Sequence, residues 1–197
     1  ELLSRAKGCD AAVIGPGLGA DPAARELARR LLRDLPCPVV LDADGINALA
    51  GHIDILDSRS APTLLTPHDG EFQRLTGCAL PLEDRLAAAR DFAAAHRCGL
   101  VLKGHATVTA APDGRAWINT TGNPGMSKGG SGDVLAGLIL ALLGQGWEPE
   151  LAARDGVYLH GEAGDRCAGS LGEYGMTPGD LVERLPETLE AHVRSGS

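Results

Sequence analysis

The chain is 197 residues long, 44% hydrophobic and 22% charged, which describes one folded domain with room for a sizeable core and excludes a disordered tail. A net charge of −8 and an aromatic content of 3% argue against a nucleic-acid surface, which needs a broad basic face and often stacking rings. The cysteines are dispersed and never form a CxxC pair, so a reducing, cytoplasmic setting is expected, without a disulfide framework or zinc site; no apolar run approaches the length of a membrane span.

The sequence opens at Glu1 in a helical pattern, so further strands and helices are expected ahead of it. AAVIG (11–15) reads as a buried strand, and the GPGLG after it as a tight turn into a helix capped by Asp21 with Pro22 in the first position. PAARELARRLLRDL (22–35) predicts that helix, and PVVLD (38–42) a second strand. DADG follows, its Asp42 and Asp44 read as caps, with a short helix around Ile46 to Ala50. TLLT (63–66) is a third strand, with His68 just beyond it and Glu71 in the next helix. A helix over 81–97 leads to a fourth strand, GLVLKG (99–104).

Continuous apolar strands separated by helices imply parallel pairing with helices on both faces of the sheet. TVTAAPDGRAWINTTG (107–122), two extended runs around Pro112-Asp113-Gly114, predicts an antiparallel hairpin on one edge. The remainder reads as helices over 132–143, 149–168 and 178–193, and the whole as one α/β unit. In such sheets ligands bind beyond the carboxyl ends of the strands. GPGLG, DADG, TPHDGE and KGHAT follow the four strands and should converge on one rim.

Glycine is the compositional outlier, with 27 residues, about twice the usual share. It is densest in NPGMSKGGSGDVLAGLI (123–139), where a loop nearly bare of side chains runs into an apolar helix and leaves Asp133 at the junction. Such a loop can turn its N–H groups inward and add the positive end of a helix, which suits phosphate. The lysine and hydroxyl of a GxxxxGK[ST] loop are absent. Asp133 reads either as a helix cap or as a general base taking a proton from a hydroxyl that attacks phosphorus. His68 is either solvated or part of the rim, and Lys103 either a strand-end charge or a phosphate contact. Met126 and Met176 read as packing residues.

VIGPGLG, PVVLDADGINAL, TLLTPHDGEFQRL, VLKGHAT, NTTGNPGMSKGGSGDVLAGLI and YLHGEAGDRCAGSLGEYGMTPGDLVERLP together resemble, in order and spacing, the NAD(P)H-hydrate dehydratases. That family is a carbohydrate-kinase-like branch of the ribokinase superfamily. The resemblance covers nearly the whole chain and is most specific at NPGM and GGSGD. It implies a three-layer ribokinase-like fold over residues 1–197, lacking the N-terminal strands and helices of the family's domain. It implies repair of hydrated NADH or NADPH: the C6 hydroxyl of the S epimer takes a phosphoryl group from ADP (ATP in animal relatives), then phosphate leaves and the ring regains its double bond.

Carried over by position, the resemblance makes Asp133 the catalytic base and Gly129, Gly130, Ser131 and Gly132 the anion hole. It places the nucleotide at Lys103, Gly104, His105, Ala106, Thr107 and Gly132, and the hydrated nicotinamide at Gly17, His68, Asn123 and Asp133. Glu71 matches an acid that organises Mg2+ and phosphate. It further implies a homo-oligomer, with a tetramer expected, and fusion to or cooperation with an NAD(P)H-hydrate epimerase. Gly45, where relatives usually carry alanine, and Lys128, where a small residue is common, depart from the pattern; Lys128 could contact phosphate or face solvent. Two rival readings keep the fold: a vitamin-precursor or sugar kinase, and a non-catalytic nucleotide-binding remnant.

Overall fold

Short runs of residues buried on both sides have no polar face to expose, so they collect at the centre of a sheet covered by helices. The computed structural model, which describes residues 2–6 and 8–195 and so leaves Lys7 outside, places the four expected strands side by side. They are β1 (Ala12–Ile14), β2 (Val39–Leu41), β3 (Thr63–Leu65) and β4 (Gly99–Leu102), parallel and in sequence order; β2 to β4 are buried throughout, whereas β1 is an edge strand with Val13 exposed, which corrects the expectation of a buried strand there. The hairpin adds β5 (Val108–Ala110), antiparallel to β4, and β6 (Ala116–Ile118) at the edge. The expected mostly parallel sheet with an antiparallel edge hairpin is therefore the observed one.

The helices are α1 (Leu2–Ala6), α2 (Pro22–Asp34), α3 (Asp44–Ala48), α4 (Asp54–Asp57), α5 (Asp69–Thr76) and α6 (Arg85–Ala95), then α7 (Ser131–Gly144), α8 (Pro149–Gly175) and α9 (Pro178–Ser195). A 3-10 turn, Pro124–Met126, precedes α7. As expected, Asp21 caps α2, accepting from the N–H groups of Ala23 and Ala24. The α8 helix runs past the expected 168, because nothing breaks it before Gly172, whose φ of 72° kinks it. The single turn α4 has no side-chain cap and left no mark in the sequence. Among the described residues no helix is long and apolar enough to cross a membrane.

Alternate strand residues divide between two cores. Ile14, Leu41, Leu65, Leu100 and Leu102 pack with Leu32, Ile46, Phe72 and Phe92 of the helices that connect the strands. Val40, Leu64 and Val101 face the other way and meet Leu135, Ile139, Leu142 and Val157 of α7 and α8. The connecting helices all pack in the first core, so the C-terminal helices cover the second face. The α7 helix starts at the carboxyl rim of the sheet, where Gly132 lies against Lys103, the residue that follows β4.

The rim segments are zipped together beyond the strands. Asp42 N–H donates to the Ile14 carbonyl (3.1 Å), Thr66 N–H to Leu41 (3.1 Å) and Lys103 N–H to Pro67 (2.8 Å). The first loop crosses the second so closely that a Cβ on Gly15 would lie 1.8 Å from the Asp42 carbonyl oxygen, and Gly15 has a φ of 131°. Gly15→Ala should therefore cost roughly 4 kcal/mol, combining strain with a backbone clash. Urea unfolding measures it; a loss below about 1 kcal/mol would mean that these loops do not meet in this way.

Candidate functional site

Three rim segments, those after β2, β3 and β4, meet at one ion pair. Lys103 Nζ donates to Asp42 Oδ1 at 2.8 Å, and the same oxygen accepts from Thr66 Oγ1 at 2.7 Å. Asp42 is only 2% exposed, so its charge needs these donors. The expectation that Asp42 and Asp44 act as caps is corrected here: neither caps a helix through its side chain. Asp42 anchors Lys103, and Asp44 Oδ2 accepts from the Gly19 N–H at 2.9 Å, tying the first loop to the second. The sheet forces this, since it places the residues after β2 and β4 within side-chain reach.

His68 and Glu71 form a reciprocal cap on α5. His68 Nδ1 accepts from the N–H groups of Gly70 and Glu71, while Glu71 Oε2 accepts from the His68 N–H at 2.9 Å. With Nδ1 used as an acceptor, the neutral ring carries its proton on Nε2, which lies 3.5 Å from Glu71 Oε1. Glu71 is buried, and its Oε2 lies 3.9 Å from Lys103 Nζ. His68 also bridges to Lys103 across the end of the sheet. It is both a cap and a rim residue, and half of its side chain remains exposed.

The glycine-rich segment is shaped by α8. Asn123 Oδ1 accepts from the Gly125 N–H, and its Nδ2 donates to Asp165 Oδ1 at 3.0 Å; Asp165 Oδ2 takes the Gly122 N–H at 2.9 Å. Met126 fits against Gly164, where a Cβ would stand 2.3 Å from its sulfur, and Thr121 against Gly161 in the same manner. Met126 and Met176 are indeed packing residues. Gly130, at a φ of 97°, is the N-cap of α7, and no side chain caps that helix. Asp133 is therefore not its cap; it is exposed in the first turn. The first turn of α7 lies against Lys103, since a Cβ on Gly132 would be 3.3 Å from Lys103 Nζ.

A cavity of about 850 Å³ opens at this place. His68, Lys103, Gly104, His105, Ala106, Thr107, Asn123, Ser131 and Gly132 all line it, so most of the residues singled out in the sequence share one wall. Gly17, Glu71, Gly129, Gly130 and Asp133 lie outside that lining: Gly17 in the exposed first loop, Glu71 buried behind His68, and the other three along the turn into α7. The lining carries two lysines and three histidines but no carboxylate, in a chain whose net charge is −8. Such a wall attracts anions. Among the described residues no His, Cys, Asp and Glu cluster could hold a metal ion on its own.

Sequence reasoning missed two functional neighbours, Asp165 and His160. Both come from α8, whose glycines at 156, 161 and 164 mark the face that Ile139, Thr121 and Met126 approach. His160 lines the cavity yet is 8% exposed, and its Nε2 has no partner among the described residues. Burial pulls its pKa from 6.5 down to about 4, against a hydrogen bond with the Ser131 backbone that raises it and aided by the nearby Lys103 charge. The ring is neutral at pH 7.

A sequence model of the NAD(P)H-hydrate dehydratase family matches residues 1–187. The bifunctional NAD(P)H-hydrate repair enzyme Nnr of Moorella thermoacetica is 48% identical over 190 residues, covering 95% of this chain and 36% of that protein. The chain thus spans about a third of the curated relatives it matches. The ADP/ATP-dependent NAD(P)H-hydrate dehydratase of Bacillus subtilis, crystallised with ATP and Mg2+, superposes with a TM-score of 0.84 at 34% identity, over 96% of this chain and 71% of that one. A ribokinase-like superfamily protein of Enterococcus faecalis gives a TM-score of 0.83 at 30% identity, over 96% of this chain and 66% of that one.

The buried His160 makes stability depend on pH. Between its unfolded value of 6.5 and its folded value of about 4, the unfolded chain binds a proton that the native ring refuses, so stability falls as pH drops through that window. From pH 7 to pH 5 the loss from this group is about 2 kcal/mol. His160→Gln should remove that part of the acid slope in urea unfolding. Equal slopes for both proteins would show that the ring titrates normally.

Proposed function

The chain belongs to the NAD(P)H-hydrate dehydratase family, and on that premise we propose that it dehydrates (6S)-NAD(P)H hydrate to NAD(P)H while converting ADP to AMP and phosphate. The observation that carries this reading is the cavity itself. A wall of lysine and histidine, free of carboxylates, lies beside an uncapped helix N-terminus and suits the phosphates of a nucleotide. The same wall does not by itself distinguish a dehydratase from a kinase; the family match favours the dehydratase over that rival and over a non-catalytic remnant.

In this reading the ADP phosphates lie between Lys103 and the N–H groups of residues 130–132. Asp42 holds the Lys103 ammonium in place, so the cation meets the nucleotide already ordered. Residues 104–107 receive the rest of the nucleotide: Thr107 Oγ1 closes this turn by donating to the Gly104 carbonyl at 3.0 Å. Asp133, one residue past Gly132, takes the proton of the C6 hydroxyl as its oxygen attacks the terminal phosphorus of ADP and the bond to AMP breaks. Phosphate, a far better leaving group than hydroxide, then departs from C6, a ring proton is lost, and the double bond returns. His68, Gly17 and Asn123 are assigned to the hydrated nicotinamide.

The two buried rim acids, Asp42 and Glu71, face a single lysine, a balance that leaves room for further positive charge. Glu71 is the residue assigned to Mg2+, which when bound neutralises phosphate charge. Assembly as a homo-oligomer and cooperation with an epimerase acting on the opposite epimer complete the proposal.

The full-length protein given ADP, Mg2+ and hydrated cofactor should restore the absorbance of reduced nicotinamide. Asp133→Asn should lower turnover by at least about 100-fold and leave the ADP Kd within a few fold. Retained turnover would remove Asp133 from the mechanism. His68→Ala should raise the KM for hydrated cofactor more than the ADP Kd, and equal losses would count against its assignment.

A further inference from the structure

Lys128 is the second lysine of the cavity wall, and its ammonium is already spent. It donates to the backbone carbonyls of Glu173 at 3.1 Å, Tyr174 at 3.0 Å and Met176 at 2.5 Å. An ammonium has three donors, so none is left for a phosphate contact; Lys128 is exposed, as the solvent expectation had it, but its ammonium is folded onto these carbonyls. The three carbonyls lie just past the Gly172 kink, where the end of α8 leaves its last acceptors without helical partners and presents partial negative charge.

The backbone of Lys128 sits between the 3-10 turn and α7. Its N–H donates to the Met126 carbonyl at 2.8 Å, and its carbonyl accepts from the Ser131 N–H at 3.2 Å. The next two residues, Gly129 and Gly130, have no side chains with which to hold their own conformation, and Gly129 has open space where a Cβ would be. A loop of bare glycines loses much conformational entropy on ordering. Lys128 ties its start to the end of α8, while His160 meets the Ser131 backbone.

We propose that Lys128 is a positioning residue: by binding three carbonyls at the end of α8, its ammonium holds the backbone of residues 129–132 in a phosphate-binding shape without touching phosphate. The α8 C-terminus thereby orders the loop through a cation, while the α7 N-terminus offers that loop's N–H groups to an anion. The role presupposes that residues 129–132 bind phosphate, the reading proposed above.

The test uses the full-length protein with two readouts: the ADP Kd by calorimetry, and hydrogen exchange of the amides of residues 129–133. Lys128→Met should speed exchange there and weaken ADP binding by about tenfold or more, as loss of charge-assisted hydrogen bonds implies. Lys128→Ala should recover much of both with added methylammonium, which carries three N–H donors. Tetramethylammonium, which has none, should not restore them. Tyr174→Ala should behave as wild type, because only its carbonyl is used. Wild-type exchange in Lys128→Met, or equal responses to the two ammonium ions, would overturn the role. Absence of ADP binding by the wild-type protein would instead sink the functional reading, while the exchange data still decide whether Lys128 orders the loop.

Discussion

The central strands are apolar on both faces, and that single constraint organises the molecule. Helices that connect parallel neighbours in sequence order accumulate in one core, with Leu41, Leu65 and Leu100 beneath them. Val40, Leu64 and Val101 on the opposite face then require cover from the helices that remain. Supplying that cover brings the start of α7 to the rim where the strands end. The place of the glycine-rich turn into α7 is a consequence of how the second face is buried.

Charge follows the same geometry. A chain of net charge −8 keeps its acids out of the main cavity wall and turns lysine and histidine toward it. Lys103 is held by Asp42, which is itself satisfied by Thr66, so a buried pair fixes the position of a cation at the mouth of the site. A buried ion pair is weak evidence for stability, because desolvation offsets much of the attraction. Its effect here is on position: Nζ stands beside Gly132 rather than sweeping solvent. Lys128, the other lysine on that wall, is consumed by the end of α8.

Glycine serves two distinct ends. Gly15 and Gly130 adopt backbone conformations that other residues resist. The glycines at 161 and 164 lie within α8, where they cost helix stability, but they let Thr121 and Met126 approach the helix axis. That approach gives Asp165 its hold on Gly122 and Asn123, and it fixes the start of the loop just as Lys128 fixes its end.

The parallel strands, the hairpin at Pro112-Asp113-Gly114 and the caps such as Asp21 were legible because each depends on local pattern: runs of apolar residues, turn chemistry, a cap before a periodic stretch. So was the convergence of Lys103 and His68, since a parallel sheet sends the ends of its strands to one rim; Ser131 and Gly132 follow no parallel strand and join them through the packing of α7. What the sequence could not decide were pairings between groups far apart along the chain. Asp42 with Lys103, Asn123 with Asp165, and Lys128 with the carbonyls of residues 173–176 arise only when packing of α7 and α8 brings distant segments within hydrogen-bond reach. Those contacts turn a glycine-rich loop into a shaped site, and they belong to the tertiary structure because hydrogen bonds need distance and direction that no local pattern encodes.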